Sequence, residues 1–343
     1  MKKKIVTFGE LLMRLAPSDG CQIGQTNRFD AFYGGSEANV AAALAQYGEN
    51  TSFVSILPNN PVGRDALRKM QYYGVNTEYL KFATFGRMGI YYLEPGVGEC
   101  SRVCTYDRAN SSLVMAANTG VFDWEKIFKG ASLFHFSGIT PALSPALRQI
   151  CSSAISKAHE MGLLVSCDVN YRSKLWTKKE AAAVMKDLAF KADILFINEE
   201  EASVLGFNAH GEYLMDLPTF SGLTSYLCSK ADNVKVITSA ARVHLADGGL
   251  AVEAKLWSTS DHLHVYSSKV CPLKGVIDPN GAGDAYAAAV LYGLLHNVHL
   301  EKVVNWGAAA ASLKHYCRGD VNLASLEDIK ALAEKDISTG LKR

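Results

Sequence analysis

The sequence predicts an α/β fold, a doubly wound and mostly parallel sheet flanked by helices, with a small antiparallel β lid. Three observations predict it. Apolar runs at 52–57, 132–137, 163–168, 192–198 and 234–239 lack the alternation of a half-exposed strand. Helical patterns such as 144–161 and 178–188 follow most of them, and near-continuous hydrophobic strands separated by helices form a parallel sheet covered on both faces. Lastly, Asp278-Pro279-Asn280-Gly281-Ala282-Gly283-Asp284 precedes the Ala-rich run 285–295. That segment is a glycine turn opening onto a helix, and doubly wound sheets bind ligands at such strand-to-helix turns.

Residues 1–9 read as the first strand, because Glu10 and Arg14 break the apolar stretch too early for a secretory leader. Ser36 is expected to cap a helix that Gly48 ends, and Pro61 to open another that Gly74 ends. The stretches 88–93 and 101–106 flank Pro95-Gly96-Val97-Gly98-Glu99 as the arms of a β-hairpin. Together with 14–32 they make a small extra sheet, a lid spanning about 12–34 and 86–110. Its aromatic residues Phe29, Phe32, Tyr91 and Tyr92 suit closure over a substrate, pairing with a second subunit's lid, or both. No repeat, low-complexity tract or Pro/Gly linker divides the chain, so residues 1–343 read as one domain.

A chain of 343 residues that is 48% hydrophobic has enough apolar material for a large core. Its formal net charge of +1 supplies no field for nucleic acid or an anionic membrane, and no apolar run nears the ~20 residues of a membrane span. Small molecules are the expected partners. Eight cysteines include no C-x-x-C pair, which points to reduced thiols in a cytoplasm, not to a disulfide framework or a zinc site.

The first N–H groups of a helix lack partners within it, so a turn of minimal side chains at Gly281, Ala282 and Gly283 is an anion site. Asp284 adds a carboxylate where a stored phosphate would be repelled, yet one able to take a proton from an attacking hydroxyl. Turn and acid together indicate phosphoryl transfer; the alternative is a helix cap with an Asp in its first turn. Gly34-Gly35-Ser36-Glu37-Ala38-Asn39-Val40-Ala41 permits close approach of a polyol, with Asn39 available for hydroxyls, or is only a turn and a cap. Arg108, in Tyr106-Asp107-Arg108-Ala109, and Arg172, in Asp168-Val169-Asn170-Tyr171-Arg172, suit bidentate binding of a carboxylate or phosphate. For either arginine taken singly, a surface ion pair is the competing reading. Asn198 and Glu201 are spaced to face one way and hold magnesium-bound water, although an ordinary acidic helix start explains them nearly as well.

The motifs Gly-Gly-x-x-x-Asn-Val-Ala (34–41) and Asp-x-x-Gly-Ala-Gly-Asp (278–284) resemble the two signatures of the ribokinase-like sugar kinases, and the resemblance covers essentially the whole chain. Within that family, Leu57-Pro58-Asn59-Asn60-Pro61-Val62-Gly63, the Arg108 and Arg172 segments, and Lys314-His315 with Gly319-Asp320 look most like 2-keto-3-deoxygluconate kinases (2-dehydro-3-deoxygluconokinases). The resemblance implies transfer of the γ-phosphoryl group of ATP, with Mg2+, to the 6-hydroxyl of the sugar acid, and it is compatible with a monovalent cation such as K+. It implies Asp284 as base and Gly281, Ala282 and Gly283 as anion hole. It places Gly34, Gly35, Asn39, Tyr92, Tyr106, Arg108, Asp168, Asn170 and Arg172 about the substrate. Asn198, Ser239, Gly281, Gly283 and Asn305 would meet the nucleotide, and Asn198 with Glu201 the magnesium through water. In relatives the lid sheet often forms the subunit contact, so a homodimer is the expected minimal assembly.

The substrate's carboxylate accounts for the arginines, whose charge a neutral ribose or fructose leaves unused. One stretch departs from the family pattern: Thr238-Ser239-Ala240-Ala241-Arg242-Val243 stands where a Thr-x-Gly-x-x-Gly-like loop meets the nucleotide. Added Cβ atoms there are expected to crowd a backbone that glycine reaches easily. Three other readings remain: a fructose or ribose kinase of the same family, a non-catalytic sugar sensor on the same fold, and a dehydrogenase. No Gly-x-Gly-x-x-Gly follows the first strand, which disfavours the last.

Overall fold

The computed structural model describes residues 2–18, 20–96, 102–120, 122–206 and 220–334. These contain strands β1 (Lys4–Phe8), β2 (Leu12–Pro17), β3 (Phe29–Gly34), β4 (Asn50–Pro58), β5 (Leu80–Ala83), β6 (Gly89–Glu94), β7 (Val103–Asp107), β8 (Leu133–Ser137), β9 (Leu164–Asp168), β10 (Ile194–Phe196), β11 (Val236–His244), β12 (Leu250–Ser258), β13 (Asp261–Ser267) and β14 (Cys271–Leu273). One large sheet runs β13-β12-β11-β10-β9-β8-β1-β4-β5, with β14 also on β12. Its pairings from β11 through to β5 are parallel, and those of β12 with β11, β13 and β14 are antiparallel.

The apolar runs become strands because both faces are covered; every residue of β8 is buried. Helices Pro145–Glu160 and Lys178–Ala189 pack on one face through Cys151, Ile155 and Met185. Helices Ser36–Gln46, Ala282–Leu295 and Leu300–Lys314 cover the other. Each fully buried large aliphatic side chain contributes about 1.5–3 kcal/mol. Small residues let the last two helices approach closely, since a Cβ on Gly307 would lie 2.5 Å from the Tyr286 ring.

Helix punctuation matches the sequence at Pro61, where Asn60 Oδ1 accepts from Gly63 N at 2.9 Å, a cap worth about 1 kcal/mol. Gly48 (φ 92) and Gly74 (φ 84) follow the helix ends as expected. Ser36 departs from expectation. Gly35 holds the cap position, Ser36 is the first helical residue, and its hydroxyl is thereby released for the site.

The lid is a separate sheet ordered β3-β2-β6-β7. It is mixed, not antiparallel: the two outer pairs are antiparallel but β2 and β6 run parallel. Between β3 and β6 the chain passes through the large sheet by way of β4 and β5, and it re-enters the lid beside β2 in the same direction. The hairpin arms β6 and β7 pair as expected, while the turn at 97–101 lies outside the described residues. At 238–243 the missing glycines cause no strain. This segment lies inside β11, pairs residue for residue with β12, and has no positive φ. Among the described residues every cysteine is free, and no helix is long and apolar enough to cross a membrane.

Candidate active site

The glycine turn seats Asp284 in the first turn of helix Ala282–Leu295. Gly281, at the cap, has φ 81, and a Cβ on it would lie 1.9 Å from the Asp320 carbonyl oxygen. Both facts demand glycine. A Cβ on Gly283, by contrast, would meet nothing within 4 Å. Ala282 N bonds Pro279 O and Ala285 N bonds Gly281 O, which leaves the amides of Gly283 and Asp284 as donors with no partner among the described residues, beside that open space.

Both oxygens of Asp284 are held. Ser36 Oγ donates to Oδ1 at 2.9 Å and Asn39 Nδ2 to Oδ2 at 2.7 Å. Burial pushes the Asp284 carboxyl above its usual range, opposed by these two bonds and by Arg172. Asn170, at φ 43, donates through Nδ2 to Ser36 Oγ (3.1 Å) and Asp168 Oδ2 (2.8 Å), and its own Oδ1 is buried with no partner among the described residues. Burial, and then the nearby charges of Glu201 and Asp284, hold Asp168 well above an ordinary carboxylate.

Two cavities meet at Asp284. One of about 390 Å³ lies under the lid and is lined by Glu10, Gly35, Ser36, Asn39, Tyr91, Tyr106 and Arg108 among others. The second, of about 280 Å³, lies over the glycine turn against Asp168, Asn198, Glu201, Ser239, Ala282 and Gly283. Asn170, Arg172, Asn280, Gly281 and Asp284 line both.

Most residues singled out in the sequence therefore surround one place, with five differences. Tyr92 does not reach the lid cavity. Strand alternation turns Tyr91 and Leu93 inward and sends Tyr92 to the outer face, against Phe29. Gly34 is not in the cavity wall either; it is packed under Asp320, 2.5 Å from where its Cβ would stand. Arg108 is buried in an ion pair with Glu10, Nε donating to Oε2 at 2.8 Å, so its charge is already opposed. Asn198 and Glu201 cap their helix reciprocally, Glu201 N to Asn198 Oδ1 at 2.9 Å and Asn198 N to Glu201 Oε2 at 3.0 Å, while still lining the second cavity. Asn305 lines neither cavity, and its amide is engaged elsewhere, Oδ1 accepting from Lys269 N (2.8 Å) and Nδ2 donating to Glu301 O (2.8 Å).

Glu10, Ser36 and Asn280 line the lid cavity although the sequence marks none of them as a binding residue, and Tyr91, expected only among the lid's aromatic residues, lines it as well. Glu10 was findable, since it follows β1 at the carboxyl end of the sheet, where such folds bind ligands. Asn280 donates to the hydroxyl of Tyr91 at 2.8 Å and also to Asp320, joining the lid to the glycine turn.

Residues 2–326 match the pfkB family of carbohydrate kinases. The chain belongs to that family. A 2-dehydro-3-deoxygluconokinase of Thermotoga maritima superposes with a TM-score of 0.89 at 38% identity, covering 98% of this chain and 99% of that one. A 2-dehydro-3-deoxygalactonokinase of Haloferax volcanii is 31% identical over 331 residues, 96% of each chain. A putative ribokinase II of E. coli, solved with ATP and Mg2+, shares the fold at a TM-score of 0.79 and 18% identity, over 96% of this chain and 98% of that chain. As a pfkB kinase the protein is a carbohydrate phosphotransferase, which excludes the dehydrogenase reading. Among the described residues no group of three or more His, Cys, Asp or Glu side chains is arranged to hold a metal directly.

Proposed function

We propose that this kinase transfers the γ-phosphoryl group of ATP to the 6-hydroxyl of 2-keto-3-deoxy-D-gluconate. One observation carries the reading: an acceptor-sized cavity under the lid and a cavity over the glycine turn share a single carboxylate, Asp284, with Arg172 beside it. The turn fits a polyphosphate. Among the described residues, space is open at Gly283, two amides lack acceptors, and no side chain intervenes. The sugar acid lies under Tyr91 and Tyr106, and Asp284 takes the 6-hydroxyl proton as its oxygen attacks the γ-phosphorus and ADP departs. The Gly283 and Asp284 amides meet the charge on the transferring group. Arg172, exposed and donating to the Tyr171 carbonyl oxygen at 3.0 Å, has no carboxylate in ion-pair contact among the described residues and supplies the cation for the substrate carboxylate or the γ-phosphate. Mg2+ would supply charge neutralisation on the triphosphate, and Asp168, Asn198 and Glu201, which line the second cavity, would hold it through water.

The 31% identical 2-dehydro-3-deoxygalactonokinase favours a second reading, the C4 epimer as substrate. We infer a homodimer through the lid, whose outer face carries Phe29 and Tyr92. A coupled ADP-release assay tests the function with 2-keto-3-deoxygluconate, its galacto epimer, fructose and ribose. The keto acids are expected to exceed the neutral sugars in kcat/KM by 10²-fold or more, the order of one charged contact. Equal turnover of the neutral sugars rejects the sugar-acid reading.

A further inference from the structure

Lys314 ends helix Leu300–Lys314, and its side chain is wholly buried. The ammonium donates to the backbone oxygens of Asp278 at 3.0 Å and Cys317 at 2.9 Å. It therefore joins the segment 314–320 to the start of the glycine turn. Further bonds tighten the same seam. Ile277 N and Asp278 N both donate to His315 O (2.8 and 3.0 Å), and Gly319 N donates to Asp278 Oδ2 at 3.0 Å. Gly281 rests directly on this floor, at the carbonyl of Asp320.

A buried ammonium is costly unless hydrogen-bonded and paired. Here it faces two carbonyl oxygens and the charges of Asp278 and Asp320. Burial lowers the Lys314 pKa, and those two carboxylates oppose the change. Inward-facing oxygens are also what a hard metal cation requires.

We propose that the Lys314 ammonium is a built-in monovalent cation: a positioning residue that fixes the glycine turn and its two free amides, so that phosphoryl transfer needs no bound K+. The inference rests on the kinase reading of the turn but not on which sugar acid is the acceptor. Displacing a catalytic group by about 1 Å costs on the order of 10²-fold in rate, which sets the scale of the effect.

The test compares wild type, Lys314→Ala and Lys314→Met in KCl, NaCl and tetramethylammonium chloride at equal ionic strength, with kinetics and melting temperature as readouts. Wild type is expected to show the same kcat and the same Tm in all three salts. Both variants should lose about 10²-fold in kcat with KM little changed. KCl should restore kcat and raise Tm in Lys314→Ala, where a cation fits the vacated space, but not in Lys314→Met, where a neutral chain fills it. A wild-type requirement for K+, a normal kcat in Lys314→Met, or a Lys314→Ala loss that K+ leaves untouched overturns the proposal. If Lys314→Ala does not fold, the wild-type salt series and Lys314→Met decide. Absence of turnover with every acceptor would instead reject the function reading, and the Tm series would still decide this one.

Discussion

Asn39 and Asp284 are 245 residues apart in sequence and joined by a 2.7 Å hydrogen bond, Asn39 Nδ2 to Asp284 Oδ2. Ser36 holds the other oxygen, so the two glycine motifs meet through side chains at the carboxylate itself. The double-glycine motif thus has a second task besides admitting a polyol. It sets the rotamer of the acid that sits at the head of the other motif, and the acid's basicity reflects that grip against the pull of burial.

Replacing the base tests this directly. Asp284→Asn is expected to lower kcat by about 10² or more with little change in KM, as for loss of a general base. In wild type the base must be ionised, and its pKa is raised by burial. Activity should therefore fall as pH drops through a value above that of an ordinary aspartate. Near-normal turnover of the variant would remove Asp284 from the chemistry.

Two adjacent tyrosines give a sharper contrast. Tyr91 faces the lid cavity and donates its hydroxyl to Asp320 Oδ1 at 2.6 Å, whereas Tyr92 packs outward on Phe29. Tyr91→Phe is expected to cost about 1–3 kcal/mol in kcat/KM, because Asp320 and Asn280 lose a buried partner. Tyr92→Phe should be near neutral. Steady-state kinetics showing the reverse order would contradict the strand register.

Much of this was legible in the chain because it depends on local signals. Unalternating apolar runs gave the parallel sheet, and the Pro61 and Gly74 punctuation gave a helix within a residue at each end. What escaped was set by alternation phase and by distant partners. Tyr91 and Tyr92 are equally plausible until the inward face of β6 is known, and a one-residue error exchanges them. Nothing near Arg108 in sequence announces Glu10, 98 residues earlier, as its partner. Asn305 stands on the expected helix, yet its amide oxygen is taken by the backbone of a loop that no periodicity places.

The Glu10–Arg108 pair predicts coupling. Either partner left alone is a buried charge without compensation, so Glu10→Gln and Arg108→Ala should each destabilise by about 3–5 kcal/mol. The double variant should cost less than their sum. Because Glu10 already opposes Arg108, Arg172→Ala is expected to lose more kcat/KM for the keto acid than Arg108→Ala. Additive chemical-denaturation energies, or equal kinetic losses from the two arginines, would refute this division of labour.

The lid surface predicts assembly. With Phe29 and Tyr92 on its outer face and β3 and β7 at its edges, an uncovered lid is an association hazard. Sedimentation at micromolar concentration should show a dimer, and Tyr92→Lys should shift it toward monomer. A wild-type monomer with and without substrate would leave the lid only its role over the cavity.

His135 lies fully buried in β8 with Nδ1 3.0 Å from Ser166 Oγ and no partner at Nε2 among the described residues. Burial lowers its pKa from 6.5 to about 3. A depressed folded value means that the unfolded chain binds the proton more readily. The stabilisation is therefore complete above pH 6.5 and is lost as pH falls toward about 3. At about 1.4 kcal/mol per unit, the full shift amounts to roughly 5 kcal/mol. His135→Asn keeps a polar partner for Ser166 but cannot titrate. Its stability, measured by urea unfolding between neutrality and pH 4, should fall less steeply with acid than that of wild type, by up to one proton in slope. Parallel slopes would show that His135 is not the group through which acid unfolds this core.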